Sequence, residues 1–64
     1  MSQCNQIISY MREHKSITAM EAVKEFNCYR LAARISDIRG RGYRVLTKME
    51  KTKDGKFYAR YILA

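Results

Sequence analysis

The chain has no proline and no tryptophan, only three glycines, and no Gly/Ser-rich stretch. Without that punctuation no linker is visible, and residues 1–64 are expected to form a single domain. No apolar run approaches the ~20 residues of a membrane-spanning helix, and the N-terminus lacks the basic-then-apolar order of a secretory signal. Both absences point to the cytosol. The only histidine is His14, and the two cysteines are Cys4 and Cys28. Their spacing fits no zinc-ligand pattern, and a reducing cytosol disfavours a disulfide. Both thiols are therefore expected in the core as small hydrophobes, with no metal and no cofactor. No serine or carboxylate pattern surrounds His14, which falls near a helix end where it favours the last carbonyls. A chain of this size buries only about 60% of the surface its unfolded form exposes, which leaves little space for an enzyme pocket. The protein is not expected to be an enzyme.

What the chain does have is charge, unevenly placed. Residues 1–28 carry three bases and three acids, whereas residues 29–64 carry ten bases against three acids, the whole of the net charge of +7. A one-sided basic field of this size is the electrostatic footprint of a polyanion binder, and DNA or RNA is the commonest polyanion. Five tyrosines and two phenylalanines in a chain that is 47% hydrophobic argue against a disordered basic tail.

Periodicity divides the chain into three helices and a hairpin, an α+β arrangement. Cys4, Ile7, Ile8 and Met11 recur at i, i+3, i+4 and i+7, one apolar stripe of a first helix that Ser2 can cap. Ile17 stands alone and is suited to a short strand paired elsewhere. Thr18-Ala19-Met20-Glu21 reads as a capping box opening a second helix with the stripe Ala19, Ala22, Val23 and Phe26. Asn27 follows as a left-handed terminator. A third helix is expected from about Cys28 or Tyr29 to Arg41, ended by Gly42. Its apolar stripe is Cys28, Leu31, Ala32, Ile35 and Ile38; its outer face carries Arg30, Ala33, Arg34, Asp37 and Arg41. Two short helices joined by so tight a turn, the second basic outside, have the layout of a helix-turn-helix.

The remainder alternates as strands do, around a turn signal at Lys53-Asp54-Gly55. A two-residue loop at 54 and 55 would pair Met49 with Arg60 and Glu50 with Ala59, mixing polar and apolar on both faces. A three-residue loop with Gly55 left-handed instead pairs Val45 with Leu63, Thr47 with Tyr61, Met49 with Ala59 and Lys51 with Phe57, a mostly apolar face. The second register is the expected one, because a one-residue slip changes which partners share a face.

Helix, helix-turn-helix and basic-tipped hairpin in that order resemble the winged helix-turn-helix proteins. Tyr29-Arg30-Leu31-Ala32-Ala33-Arg34-Ile35-Ser36-Asp37-Ile38-Arg39, followed by Gly42-Tyr43 and a strand, looks like the small winged-helix domains of phage and prophage genomes. The resemblance implies a third helix in the major groove and a hairpin, the wing, on the backbone or minor groove. It places Tyr29, Arg30, Ala33, Arg34 and Asp37 against bases or phosphates and makes Lys51, Lys53 and Lys56 the wing. Arg41, on the same outer face, joins the expected contacts. Asn27 departs from the glycine common in the turn of such proteins.

Charge chemistry supports the same division. An arginine fork matches the two acceptors of a guanine edge, whereas lysine suits phosphate as a mobile point charge. The expected function is sequence-selective binding of double-stranded DNA by a bacteriophage-type transcriptional regulator or excisionase-like accessory factor, in the bacterial host cytosol. Two rivals stand beside it: a protein-interaction module using the basic face, and an RNA binder stacking bases on Tyr58 or Phe57. One helix and one wing cover few base pairs against ~10⁶ or more competing sites, so a homodimer, a cooperative array or a larger protein partner is expected. Met20 and Tyr10, off the core stripes, are the candidate interface residues.

Overall fold

The structure is a computed structural model and describes residues 2–64. The Ser2 hydroxyl accepts from the Asn5 amide at 3.2 Å and starts α1, Gln3–His14. Cys4, Ile7, Ile8 and Met11 are all buried, as their spacing predicts. The helix stops at Lys15, whose φ of 75° is left-handed and whose N–H donates to the Met11 carbonyl at 2.7 Å. That single residue turns the chain into β1, Ser16–Thr18, where the isolated Ile17 is fully buried opposite Tyr61.

The capping box forms as expected. Glu21 N–H donates to the Thr18 hydroxyl at 3.3 Å, Thr18 N–H donates to the Glu21 carboxylate at 2.9 Å, and α2 runs Ala19–Phe26. Of its expected stripe, Ala22 is buried and Val23 and Phe26 are half-buried, but Ala19 is exposed. As the first residue of a two-turn helix, Ala19 lines an open groove beside the sheet instead of reaching the core. Asn27 ends α2 with φ 54° and ψ 35°, so asparagine supplies the left-handed turn in place of glycine.

The third helix is shorter than expected: α3 spans Leu31–Gly40, and residues 28–30 are a non-helical connector with Arg30 at the N-cap. Asn27, the residue able to cap a start at Cys28, is held left-handed as the terminator of α2, whereas an N-cap needs extended backbone. Cys28, buried in the core, holds the connector down without belonging to the helix. Leu31, Ile35 and Ile38 are buried, but Ala32, placed on the apolar stripe by the sequence reading, is exposed. At about 100° per residue it lies roughly 90° from the centre of the arc formed by the other three. Gly42 follows with φ 97°, its N–H donating to the Arg39 carbonyl at 3.0 Å.

β2, Val45–Lys51, and β3, Phe57–Leu63, pair antiparallel in the three-residue-loop register, Val45 with Leu63 through to Lys51 with Phe57. Gly55 has φ 84°, and its N–H donates to the Thr52 carbonyl at 3.1 Å. β1 adds to the other edge of β3, giving the order β1-β3-β2. The helices cover only the base of this sheet. Val45 is buried, and Tyr61 and Leu63 pack on the core. Further out on the same face, Met49 and Phe57 are 59% and 68% exposed. Seven-residue strands run roughly 23 Å, longer than the helical body needs, and the overhang is the wing.

Candidate nucleic-acid interface

Tyr29 stands 75% exposed in the connector, directly before Arg30 at the mouth of α3. Neither residue is on the helix, so they project from its entrance and not from its outer face, where the sequence reading put Arg30. Arg30 makes no side-chain cap bond. The two line a hollow of about 360 Å³ with Gln3, Asn27, Cys28 and Arg34.

Along α3, Ala33 is half-buried and Asp37 exposed, and Arg34 reaches Asp37 at 3.3 Å. The Arg34 Nε is buried without a partner, so the stem of this side chain is enclosed and Asp37 orients its outer end. Arg41, just past the helix, donates to the Asn5 side-chain oxygen at 2.9 Å and so leans back on α1. Lys51 ends β2 with its Nζ 5.9 Å above the Phe57 ring, and Lys53 and Lys56 are exposed at the tip. The fold thus brings Tyr29, Arg30, Ala33, Arg34 and Asp37 together at α3 and collects Lys51, Lys53 and Lys56 at the wing, a separate location.

Two basic residues serve the fold itself. Arg39 donates through Nε and Nη2 to the Val45 carbonyl at 3.1 and 2.8 Å, and through Nη2 to the Thr47 hydroxyl at 3.0 Å. It thereby covers part of the edge strand β2, a position that otherwise invites pairing with another chain. Arg60 donates to Glu50 at 2.6 Å and to the Ser16 hydroxyl at 3.0 Å, with Glu21 at 3.8 Å. Glu50 in turn holds the Arg60 guanidinium above its ordinary value. Among the described residues, Arg30, Arg44, Lys48, Lys53 and Lys56 carry no side-chain hydrogen bond or ion pair, and Lys51 only its aromatic contact. Sequence reasoning counted Arg39 and Arg60 within the basic excess of residues 29–64 and assigned no DNA contact to Arg44 or Lys48. Periodicity says which way a side chain points, not which distant acceptor it meets.

Of the two candidate interface residues, Met20 is 80% exposed at a groove of about 620 Å³ between α2 and the wing. Tyr10 is not free: its hydroxyl donates to Glu21 at 3.1 Å, and its ring stacks on His14 and meets Phe26 edge-on. Burial, then the Glu21 carboxylate, push that hydroxyl above its ordinary value. Among the described residues no group of acids, histidines and cysteines could hold a metal, and no helix is long and apolar enough to cross a membrane.

Three helices, a tight α2–α3 turn and a protruding basic hairpin define a winged helix-turn-helix, a DNA-binding fold. The chain belongs to the winged helix-turn-helix domain family, whose model matches residues 2–64. No curated protein and no solved structure matches it.

Proposed function

We propose that the protein binds double-stranded DNA sequence-selectively, with α3 in the major groove and the wing on the backbone or minor groove. Arg30 and Arg34 read base edges, Tyr29, Ala33, Asp37 and Arg41 frame them, and Lys51, Lys53 and Lys56 anchor phosphates. The carrying observation is where uncommitted charge gathers. Among the described residues, the bases without a side-chain hydrogen bond or ion pair are, apart from Lys15 and Lys24, at the entrance to α3 and along the hairpin, namely Arg30, Arg44, Lys48, Lys51, Lys53 and Lys56. In biological terms the reading is a phage or prophage transcriptional regulator or an excisionase-like accessory factor. It works as a homodimer, in cooperative arrays or beside a larger protein, because one such domain spans too few base pairs for a unique site.

Fluorescence anisotropy with duplex DNA, single-stranded DNA and RNA at several salt concentrations tests the proposal. Roughly 4 to 6 phosphate contacts give a slope of about −4 to −5 in log affinity against log salt on duplex. A slope near zero, or preference for RNA or single strands, would remove the duplex reading.

A further inference from the structure

The wing carries an apolar face that its lysines do not explain. Phe57 and Lys51 are cross-strand partners, as are Met49 and Ala59, and all four share the face that nearer the body holds Thr47, Tyr61 and Val45. Arg39 of α3 reaches Thr47 on that face, so its outward continuation looks into the angle between α3 and the wing. There Phe57 is 68% and Met49 59% exposed, with the Lys51 Nζ 5.9 Å above the Phe57 ring.

The charge around this patch selects its partner. Lys51 shares that face with Phe57, Lys53 and Lys56 stand exposed at the adjoining tip, and Asp54 is the only acid there. A surface that is apolar at its centre and cationic at its rim matches the DNA minor groove. That groove is about 6 Å wide, floored by base edges, walled by deoxyribose C–H groups and rimmed by phosphates. The polar major groove offers an aromatic ring without donors far less.

We infer that Phe57, seconded by Met49, enters the minor groove and packs on the sugar walls, while the three lysines take phosphates on its rims. The inference rests on the duplex-binding reading above and adds to it a contact that no charge argument supplies.

The chain has no tryptophan, so Phe57→Trp installs a single indole reporter at the wing. Duplex binding is followed separately by anisotropy of a labelled DNA. At saturating duplex the indole emission is expected to be quenched and its accessibility to acrylamide to fall severalfold. Phe57→Ala is expected to lose about tenfold in duplex affinity, the scale of one aromatic–nucleotide contact, at an unchanged salt slope because no charge is removed. Its melting temperature should match wild type, since the ring lies outside the core. Unchanged emission and accessibility at saturation, or wild-type affinity in Phe57→Ala, would overturn the inference and leave duplex binding standing. Tighter binding of the single strand with the same indole quenching would also overturn it, in favour of a stacking site for unpaired bases. Absence of wild-type duplex binding at low salt would instead sink the DNA reading itself.

Discussion

Glu50 accepts from the Arg60 Nε at 2.6 Å along a diagonal of the sheet, although the register sets Arg60 directly opposite Lys48. Like charges facing each other across strands are destabilising. Here the arginine turns away from Lys48 toward Glu50, Ser16 and Glu21, tying β1, β2 and α2 to the middle strand. The Arg60 guanidinium, more than any other group, holds the Glu50 carboxyl below its ordinary value of 4.5. A lowered folded-state value means the pair stabilises fully above the ordinary value and is lost as pH falls through the lowered one. The melting temperature of wild type should therefore drop more steeply on acidification than that of Glu50→Gln, with the two converging at the acid end. Parallel curves would show that the pair contributes nothing to stability.

The buried side of α3 is tested by unequal truncations. Ile35 is fully buried, so Ile35→Ala should cost about 2 to 4 kcal/mol. Arg34→Ala removes a surface pair with Asp37 and should cost less than about 1 kcal/mol. Thermal or urea denaturation giving the reverse order would mean the helix is rotated, and the contact residues with it.

Arg39 should behave as a structural residue. Losing its bonds to Val45 and Thr47 should cost Arg39→Ala about 1 to 2 kcal/mol while leaving the ratio of specific to non-specific DNA affinity unaltered. Collapse of that ratio at full stability would move Arg39 into the recognition set.

Reading and anchoring separate in the same assay. A guanidinium bidentate to guanine discriminates by about 1 to 3 kcal/mol, whereas a lysine on phosphate strengthens all sequences alike. Once selection from random duplexes yields a site, Arg30→Ala and Arg34→Ala should collapse the specificity ratio. Replacing Lys51, Lys53 and Lys56 together should weaken both affinities and flatten the salt slope by up to about three contacts. A lysine triple mutant that loses selectivity while both arginine variants keep it would make the wing the reading element.

Lys15 offers a gain. A side chain in the left-handed region costs roughly 1 to 2 kcal/mol, of which glycine's extra unfolded entropy takes back about half. Lys15→Gly should raise stability by about 0.5 to 1 kcal/mol, a few degrees in melting temperature for a domain of this size. A lower melting temperature would mean that the lysine side chain itself supports the α1–β1 turn.

Much of this architecture is local, and local rules are written in the sequence. The α1 stripe, the Thr18–Glu21 box, the left-handed Asn27, the Gly55 turn and the full β2–β3 register each follow from residues a few positions apart or from keeping apolar side chains on one face. The sequence alone also fixed that the excess charge lies in the second half. Only the tertiary structure decided where α3 begins, because burying Cys28 holds residues 28–30 in a connector that helical periodicity cannot reveal. It alone separated Arg39 and Arg60, which close the fold, from the bases left for a partner. It alone left Phe57 and Met49 uncovered. The same alternation that buries Val45 points Met49 to that side, but burial depends on how far the helices extend across the sheet, and that distance is set by packing between elements remote in the chain.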